Sequence, residues 1–187
     1  MTAPYPRVAA PPHRSNSRSG RLQKELAVAN FRGVSGGVSF RGASRAVSFR
    51  GASWEDLPAV LELLEDARLP LAGVSEHIGN FVLALDGAVV GCAGLEVYGE
   101  AGLLRSVAVD LNYRSLGVGA GLTQKVLELA AARGLSSVSL LTNTAPGYFS
   151  RFGLARVERS ELPAALAESA EFQGACPDSA VAMMRPV

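Results

Sequence analysis

The chain has 187 residues with a formal net charge of +1, which suits one domain with chain to spare. Its two cysteines, Cys92 and Cys176, form no Cys-x-x-Cys pair, which argues against a disulfide scaffold or structural zinc site and for a reducing cytoplasm. No apolar run is long and uninterrupted enough to span a bilayer.

Charge is unevenly placed. Residues 1–53 hold nine Lys/Arg and one acid, Glu25, whereas residues 54–187 hold nine Lys/Arg and sixteen acids. The leading segment, 1–46, is dominated by Pro, Ser, Gly and Arg with no helical or strand period, and reads as a disordered tail. Val38–Ser44 recurs as Val47–Ser53, a local duplication of which only the second copy enters the fold; two short copies do not make a solenoid. Gly33-Val34-Ser35-Gly36-Gly37 matches the nucleophile-elbow pattern, but the strand and helix that elbow requires are missing from the pattern around it. An organelle transit peptide or a nucleic-acid-binding arm are the other readings of the tail. It lacks the amphipathic helix of the first and the stacking aromatics of the second.

The domain begins near Val47. Val47–Arg50 reads as a strand, and Ser53-Trp54-Glu55-Asp56 is a Ser-x-x-acid helix start, followed by Leu57, Val60, Leu61 and Leu64 on one face. Arg68-Leu69-Pro70 ends that helix, and residues 71–79, with His77, form a loop or short helix. Phe81–Leu85 and Ala88–Tyr98 are strands joined by Asp86-Gly87, a hairpin signal. By the two-residue period, Val90, Cys92, Gly94, Glu96 and Tyr98 share a face. Glu96 is a candidate proton acceptor because a carboxylate near a strand centre must be solvated or paired; the alternative is a carboxylate reaching solvent at an exposed strand end.

Leu103–Val109 is the next strand. Strict alternation puts Leu104, Ser106 and Ala108 on one side and Leu103, Arg105, Val107 and Val109 on the other. It is followed by the turn Asp110–Tyr113, then Arg114-x-x-Gly117-x-Gly119-Ala120, then a helix-like run from Leu122 to Arg133 closed by Gly134. Glycines between a buried strand and a helix start leave backbone N–H groups approachable, and the helix dipole adds partial positive charge there. Such a place binds phosphate or pyrophosphate. The spacing is not the dinucleotide Gly-x-Gly-x-x-Gly, since the third position is Leu122, and no Gly-Lys-Ser/Thr ending is present. Ser137–Thr142 is a strand, Ala145–Gly153 a short helix closed by glycine, and Leu154–Arg159 and Ala180–Arg185 are closing strands.

Arg114-x-x-Gly117-x-Gly119-Ala120 resembles the Arg/Gln-x-x-Gly-x-Gly/Ala motif of the GNAT superfamily of acyl-CoA-dependent N-acyltransferases. Asn143 with Ala145–Gly153 resembles the family's second hallmark, Asn…Ala-x-x-Phe-Tyr-x-x-x-Gly-Phe. Over 47–187 the resemblance implies a mixed α/β fold, a mostly antiparallel twisted sheet splayed at the cofactor strands and flanked by helices. It also implies acetyl-CoA as co-substrate, no metal, a small amine as acceptor, and a monomer or homodimer. Leu104–Val109, together with Leu162-Pro163, Ala170-Glu171-Phe172 and Cys176-Pro177-x-Ser179-Ala180, resembles the arsenic-resistance N-acetyltransferase branch, whose relatives acetylate phosphinothricin-like amino acids.

Carried onto this sequence, the resemblance assigns the strand backbone of Val107, Ala108 and Val109 to the pantetheine, with an N–H at Val107 polarising the thioester carbonyl. It assigns Ser115, Leu116, Gly117, Val118, Gly119 and Ala120 to the pyrophosphate, and Asn143 to the cofactor. Arg114 is either a phosphate partner or a solvated charge. Arg105, beside Ser106, is either a fork for an acceptor carboxylate or phosphinate, or half of a structural salt bridge. The chain departs from the family twice. A glutamate base of the phosphinothricin enzymes falls at Leu104, leaving Glu96 as the substitute, and the tyrosine that protonates the departing thiolate falls at Phe149, with Tyr148 expected to point elsewhere. A non-catalytic acyl-CoA-binding domain and a nucleic-acid-associated protein are the competing functions.

Overall fold

The structure is a computed structural model, and it describes residues 47–187. The expectations for the tail 1–46, the first copy of the repeat and the Gly33–Gly37 match lie outside the described residues.

Seven strands form one sheet in the order β1-β2-β3-β4-β5-β7-β6. They are β1 (Ser48–Gly51), β2 (Phe81–Asp86), β3 (Ala88–Tyr98), β4 (Ala101–Val109), β5 (Ser137–Thr142), β6 (Ala155–Val157) and β7 (Val181–Pro186). All neighbours run antiparallel except β4 and β5. Four α-helices accompany them: α1 (Leu57–Asp66), α2 (Val74–His77), α3 (Val118–Ala132) and α4 (Pro146–Phe149). Residues 160–175, where no periodicity predicted an element, fold as two tight helical turns and a wider, kinked one at Glu171–Ala175, and the strand expected over Leu154–Arg159 ends at Val157.

The local chemistry explains the elements. The Asp56 carboxylate accepts from the Ser53 N–H at 2.8 Å, tying down the start of α1. It also takes both Nη groups of Arg50 at 2.7 Å, which ties that start to β1 and holds the Asp56 carboxyl well below the usual carboxylate range. Asp86-Gly87 closes the β2–β3 hairpin, with Gly87 at φ +73°. α3 packs on one sheet face through Val118, Leu122, Val126 and Leu129, against Val82, Ala84, Ala93, Leu95 and Leu104. α1 covers part of the other face through Val60 and Leu64, against Phe81, Leu83, Cys92 and Ala108. Beside it, Leu162 and Leu166 from the turns of 159–175 lie on Ala101, Leu103 and Ala182.

Two irregularities correct the strict alternation read from sequence. Between the β3–β4 pairs Cys92↔Ala108 and Gly94↔Arg105 the register shifts by one, so β4 carries an extra residue. Ser106 sits there at φ +55°, the geometry of a β-bulge. The bulge turns Leu104, Val107 and Val109 toward α3 and leaves Ala108 on the α1 face. A second shift, at Ala84/Leu85, moves Val90 off the Cys92 face and into the α3 core.

β4 and β5 pair only over Ala101–Leu103 and Ser137–Ser139. Beyond that point β5 continues against β7 through Thr142, while the outer edge of β4 from Leu104 onward faces no strand. The sheet is therefore open as a wedge in its middle.

Gly94 tests the packing on the α1 face. A Cβ there would stand 2.5 Å from the Phe81 ring. We expect Gly94→Ala to cost about 1–3 kcal/mol through overpacking, read as a lowered midpoint in chemical denaturation.

Candidate active site

α3 begins at Val118, four residues before the predicted Leu122, because Gly117 takes the N-cap position at φ +84°. That left-handed value favours a residue without Cβ. Among the described residues no acceptor lies on the N–H groups of Ser115 to Ala120; the first backbone bond is Gly121 N–H to the Gly117 carbonyl at 3.0 Å. These donors and the positive end of a fifteen-residue helix lie where its first turn, at Gly119, meets Val109 of β4 and Tyr148 beyond β5. Ser115, at φ +63°, and Ser106, at φ +55°, are strained non-glycine residues bracketing this segment. The loop is anchored: the Tyr113 hydroxyl donates to Asp86 at 2.7 Å, and Arg114 Nε to the Val109 carbonyl at 3.1 Å, leaving the exposed Arg114 Nη groups toward solvent. Asn143 follows β5 and is exposed.

Tyr148 corrects the sequence expectation. Phe149 is buried in the α3 core, whereas the Tyr148 hydroxyl reaches Gly119, where a Cβ would stand 3.1 Å from it. That hydroxyl is buried and without a hydrogen-bond partner among the described residues. It is the kind of orphaned group a ligand satisfies. Arg151 lies over the Tyr148 ring at 4.7 Å. A crown of free amides, a glycine cradle and an orphaned hydroxyl at the open edge of β4 fit a diphosphate-bearing pantetheine thioester.

On the opposite face, Glu96 and Arg105 form a buried ion pair, Nη1 to Oε1 at 2.5 Å, with both side chains at 0% exposure. Arg105 is not available as the predicted substrate fork. Nε donates to Ser106 Oγ at 3.0 Å, Nη1 also to the Ala72 carbonyl at 2.7 Å, and Nη2 to the Pro70 carbonyl at 3.1 Å, with Glu171 Oε1 at 3.4 Å. The salt-bridge alternative is the one realised.

Glu96 also differs from its expected role as the proton acceptor. Burial pushes its carboxyl up, but hydrogen bonds from Ser169, Arg105 and Tyr98 outweigh that and hold it below its ordinary value. The Tyr98 hydroxyl donates to Oε2 at 2.7 Å. A carboxylate sealed from water with its lone pairs occupied is a poor proton acceptor. Burial raises the Glu171 carboxyl, partly offset by Arg105 and reinforced by Glu96. Cys92 is buried and pushed up to about 12, so it does not serve as a nucleophile. Cys176 lies apart from it, beside Glu171 and Arg159, and is also raised by burial. Among the described residues no group of His, Cys, Asp and Glu could hold a metal ion, and no helix is long and apolar enough to cross a membrane.

Sequence reasoning missed Tyr98, Ser169 and Glu171 as partners of this pair. Only the two-residue spacing of Glu96 and Tyr98 on one strand could have signalled any of it.

Fold and site together define an acyl-CoA transferase architecture, and the sequence agrees: residues 46–153 match the Acetyltransferase (GNAT) family, and the chain belongs to that family. An uncharacterised N-acetyltransferase of Chlorobaculum tepidum is 32% identical over 92 residues, covering 48% of this chain and 59% of that protein. N-acetylglutamate synthase of Neisseria gonorrhoeae, solved with coenzyme A and N-acetyl-glutamate, superposes with a TM-score of 0.65 at 23% identity over 78% of this chain and 36% of that one. Rv2747 of Mycobacterium tuberculosis, solved with CoA and NLQ, gives 0.63 at 23% identity over 74% of this chain and 98% of that one. The matched stretch thus spans about three fifths of the Chlorobaculum relative and about a third of the Neisseria synthase.

The pair contributes, with Asp56, to the acid side of stability. A carboxyl lowered in the folded state contributes stability above its unfolded value, lost as pH falls through the folded one. Glu96 has this sign; Glu171, raised, has the opposite one and favours the fold as pH drops. We expect Glu96→Gln to lose about 3 kcal/mol at neutral pH by taking from Arg105 the nearer of its two carboxylates, with a flatter acid limb in pH-resolved denaturation.

Proposed function

We propose that this chain transfers the acetyl group of acetyl-CoA to the amine of a small amino-acid-like molecule. One observation carries the reading: the free amides of residues 115–120 stand where α3 begins, beside the unpaired edge of β4. Those amides with Arg114 would hold the pyrophosphate, and Val107, Ala108 and Val109 would pair with the pantetheine amides as an added strand does. The Val107 N–H would polarise the thioester carbonyl, and Asn143 would hold the cofactor from the β5 side. Fixing thioester and amine in reacting geometry can supply about 7–11 kcal/mol of the barrier without any other group. Tyr148, rather than Phe149, would offer its hydroxyl to the departing sulfur.

The acceptor class rests on resemblance. The strand Leu104–Val109 and the tail around Cys176-Pro177 support a phosphinothricin-like or organoarsenical amino acid, and the Neisseria synthase was solved with an acylated amino acid, N-acetyl-glutamate. A reducing cytoplasm suits two free thiols. Leu104 and Phe149, both buried at positions where relatives carry acid–base groups, favour a second reading as a non-catalytic acyl-CoA-binding domain.

Release of free thiol from acetyl-CoA across a panel of amines, including phosphinothricin and its arsenic analogue, separates the two: amine-dependent release supports the transferase, and binding without release supports the sensor. Gly117→Asp should weaken acetyl-CoA on the order of tenfold or more in calorimetry, because it places a like charge at the anion site and strains the cap. Tyr148→Phe should leave the melting temperature unchanged or raised, since it removes an unpaired buried hydroxyl, while slowing thiol release on the order of tenfold.

A further inference from the structure

An acceptor amine arrives as an ammonium ion and must lose a proton before it can attack a thioester. Neither sealed carboxylate is placed to take it. Glu96 is at 0% exposure with three donors on it, and Glu171 is buried against Arg105. The network nevertheless has an end that reaches solvent. His77, the last residue of α2, has a side chain at 22% exposure. Its Nε2 is 3.5 Å from the Tyr98 hydroxyl and 4.0 Å from Glu96 Oε2, and its ring stands edge-on to the Tyr98 ring at 5.9 Å.

The proton count in that chain fixes the imidazole. The Tyr98 hydroxyl has one proton and gives it to Glu96 at 2.7 Å. Toward His77 it can therefore only accept, which at 3.5 Å favours the tautomer with the proton on Nε2 and a lone pair on Nδ1. A carboxylate, a tyrosine and an imidazole in line orient a base by the same logic that orients histidine in catalytic triads. The placement is also right. Glu96 pairs in register with Leu103, the last β4 residue that meets β5, and points to the face opposite α3. The cofactor is expected from the α3 side, so the acceptor comes from the side of His77.

We propose that His77 is the group that takes the proton from the acceptor amine, with Tyr98 and Glu96 as its positioning residues. This rests on the acetyl-transfer reading above. The ammonium gives one proton to His77 Nδ1, and the freed lone pair forms the N–C bond. The C–S bond breaks with its electron pair on sulfur, the thiolate takes the Tyr148 hydroxyl proton, and one of the two protons left on nitrogen passes through water to restore that hydroxyl while the other stays in the amide. The imidazolium so formed is stabilised by the Glu96 carboxylate. The other groups facing it are Tyr98 on β3, Glu76 beside it on α2, whose carboxyl feels both His77 and Arg105, and Arg105 across Glu96.

Two measurements on the full chain decide it. Long-range ¹H–¹⁵N spectra of histidine-labelled protein read the tautomer, with His77→Gln assigning the signal against His13. An Nε2-protonated His77 supports the proposal; an Nδ1-protonated ring overturns it whatever the acceptor. The second is the pH profile of kcat/KM with L-phosphinothricin and L-glutamate. We expect His77→Gln to keep acetyl-CoA affinity and melting temperature but lose on the order of a hundredfold in kcat/KM, with the parent's acid limb gone. Tyr98→Phe should displace that limb. His77→Asn repeats the test should the glutamine fold poorly. A variant profile parallel to the parent's overturns the proposal. Acetyl-CoA binding with no turnover of any amine in the parent protein overturns the transferase reading instead, and with it the proton-transfer role of His77, whatever the tautomer.

Discussion

The Arg105–Glu96 pair is the constraint on which the acceptor side of this domain depends. A buried ion pair is not in itself a source of stability, because desolvating two charges offsets most of their attraction. What it does here is join distant parts of the chain. The guanidinium gathers the Pro70 and Ala72 carbonyls before α2 and Glu171 from the turns after β6, while the carboxylate gathers Tyr98 and Ser169. Two loops more than sixty residues apart are thereby fixed over the same stretch of β3 and β4. The pair also reaches the bulge, since Arg105 Nε holds the hydroxyl of Ser106, the residue that takes the left-handed turn.

The sheet separates two electrostatic environments. On the α3 side the resource is positive: unpaired amides and a helix N-terminus, suited to a diphosphate. On the opposite side Glu96, Glu171 and Glu76 outnumber Arg105, suiting an ammonium. The bulge at Ser106 lets one strand serve both. Without the extra residue, Val107 and Val109 would follow Arg105 onto the acid side; with it they turn toward α3.

Most of the fold was legible because its signals are local. The alternation of β3 from Cys92 to Tyr98, the Asp86-Gly87 turn and the apolar spacing of α1 each rest on neighbours in sequence, and β5 falls on the predicted Ser137–Thr142. The glycine pair marked the start of α3 for the same reason, with Gly117 as its left-handed N-cap. What failed depended on distant partners or on irregular geometry. A bulge leaves no mark on composition, so alternation carried past Ser106 put the wrong residues on each face. Helix angles misdirected Tyr148, because α4 is four residues long and passes straight into a tighter turn, where regular spacing does not hold. Arg105 looked like a free fork because its partners come from 33 and 35 residues upstream and from Glu171 far downstream.

The open edge of β4 shows why such irregularity is tolerated. An unpaired strand edge invites wrong pairing with other chains, and proteins cover or charge it. Here it lies in the interior of a seven-stranded sheet, where β5 shields it by turning away toward β7 instead of closing on it. Closing the wedge would gain a few backbone hydrogen bonds, each worth about 0.5–1.5 kcal/mol. It would also remove the edge on which an extended, amide-bearing ligand can lie. The sheet thus forgoes a modest gain in backbone bonding and keeps an unpaired strand edge at its middle.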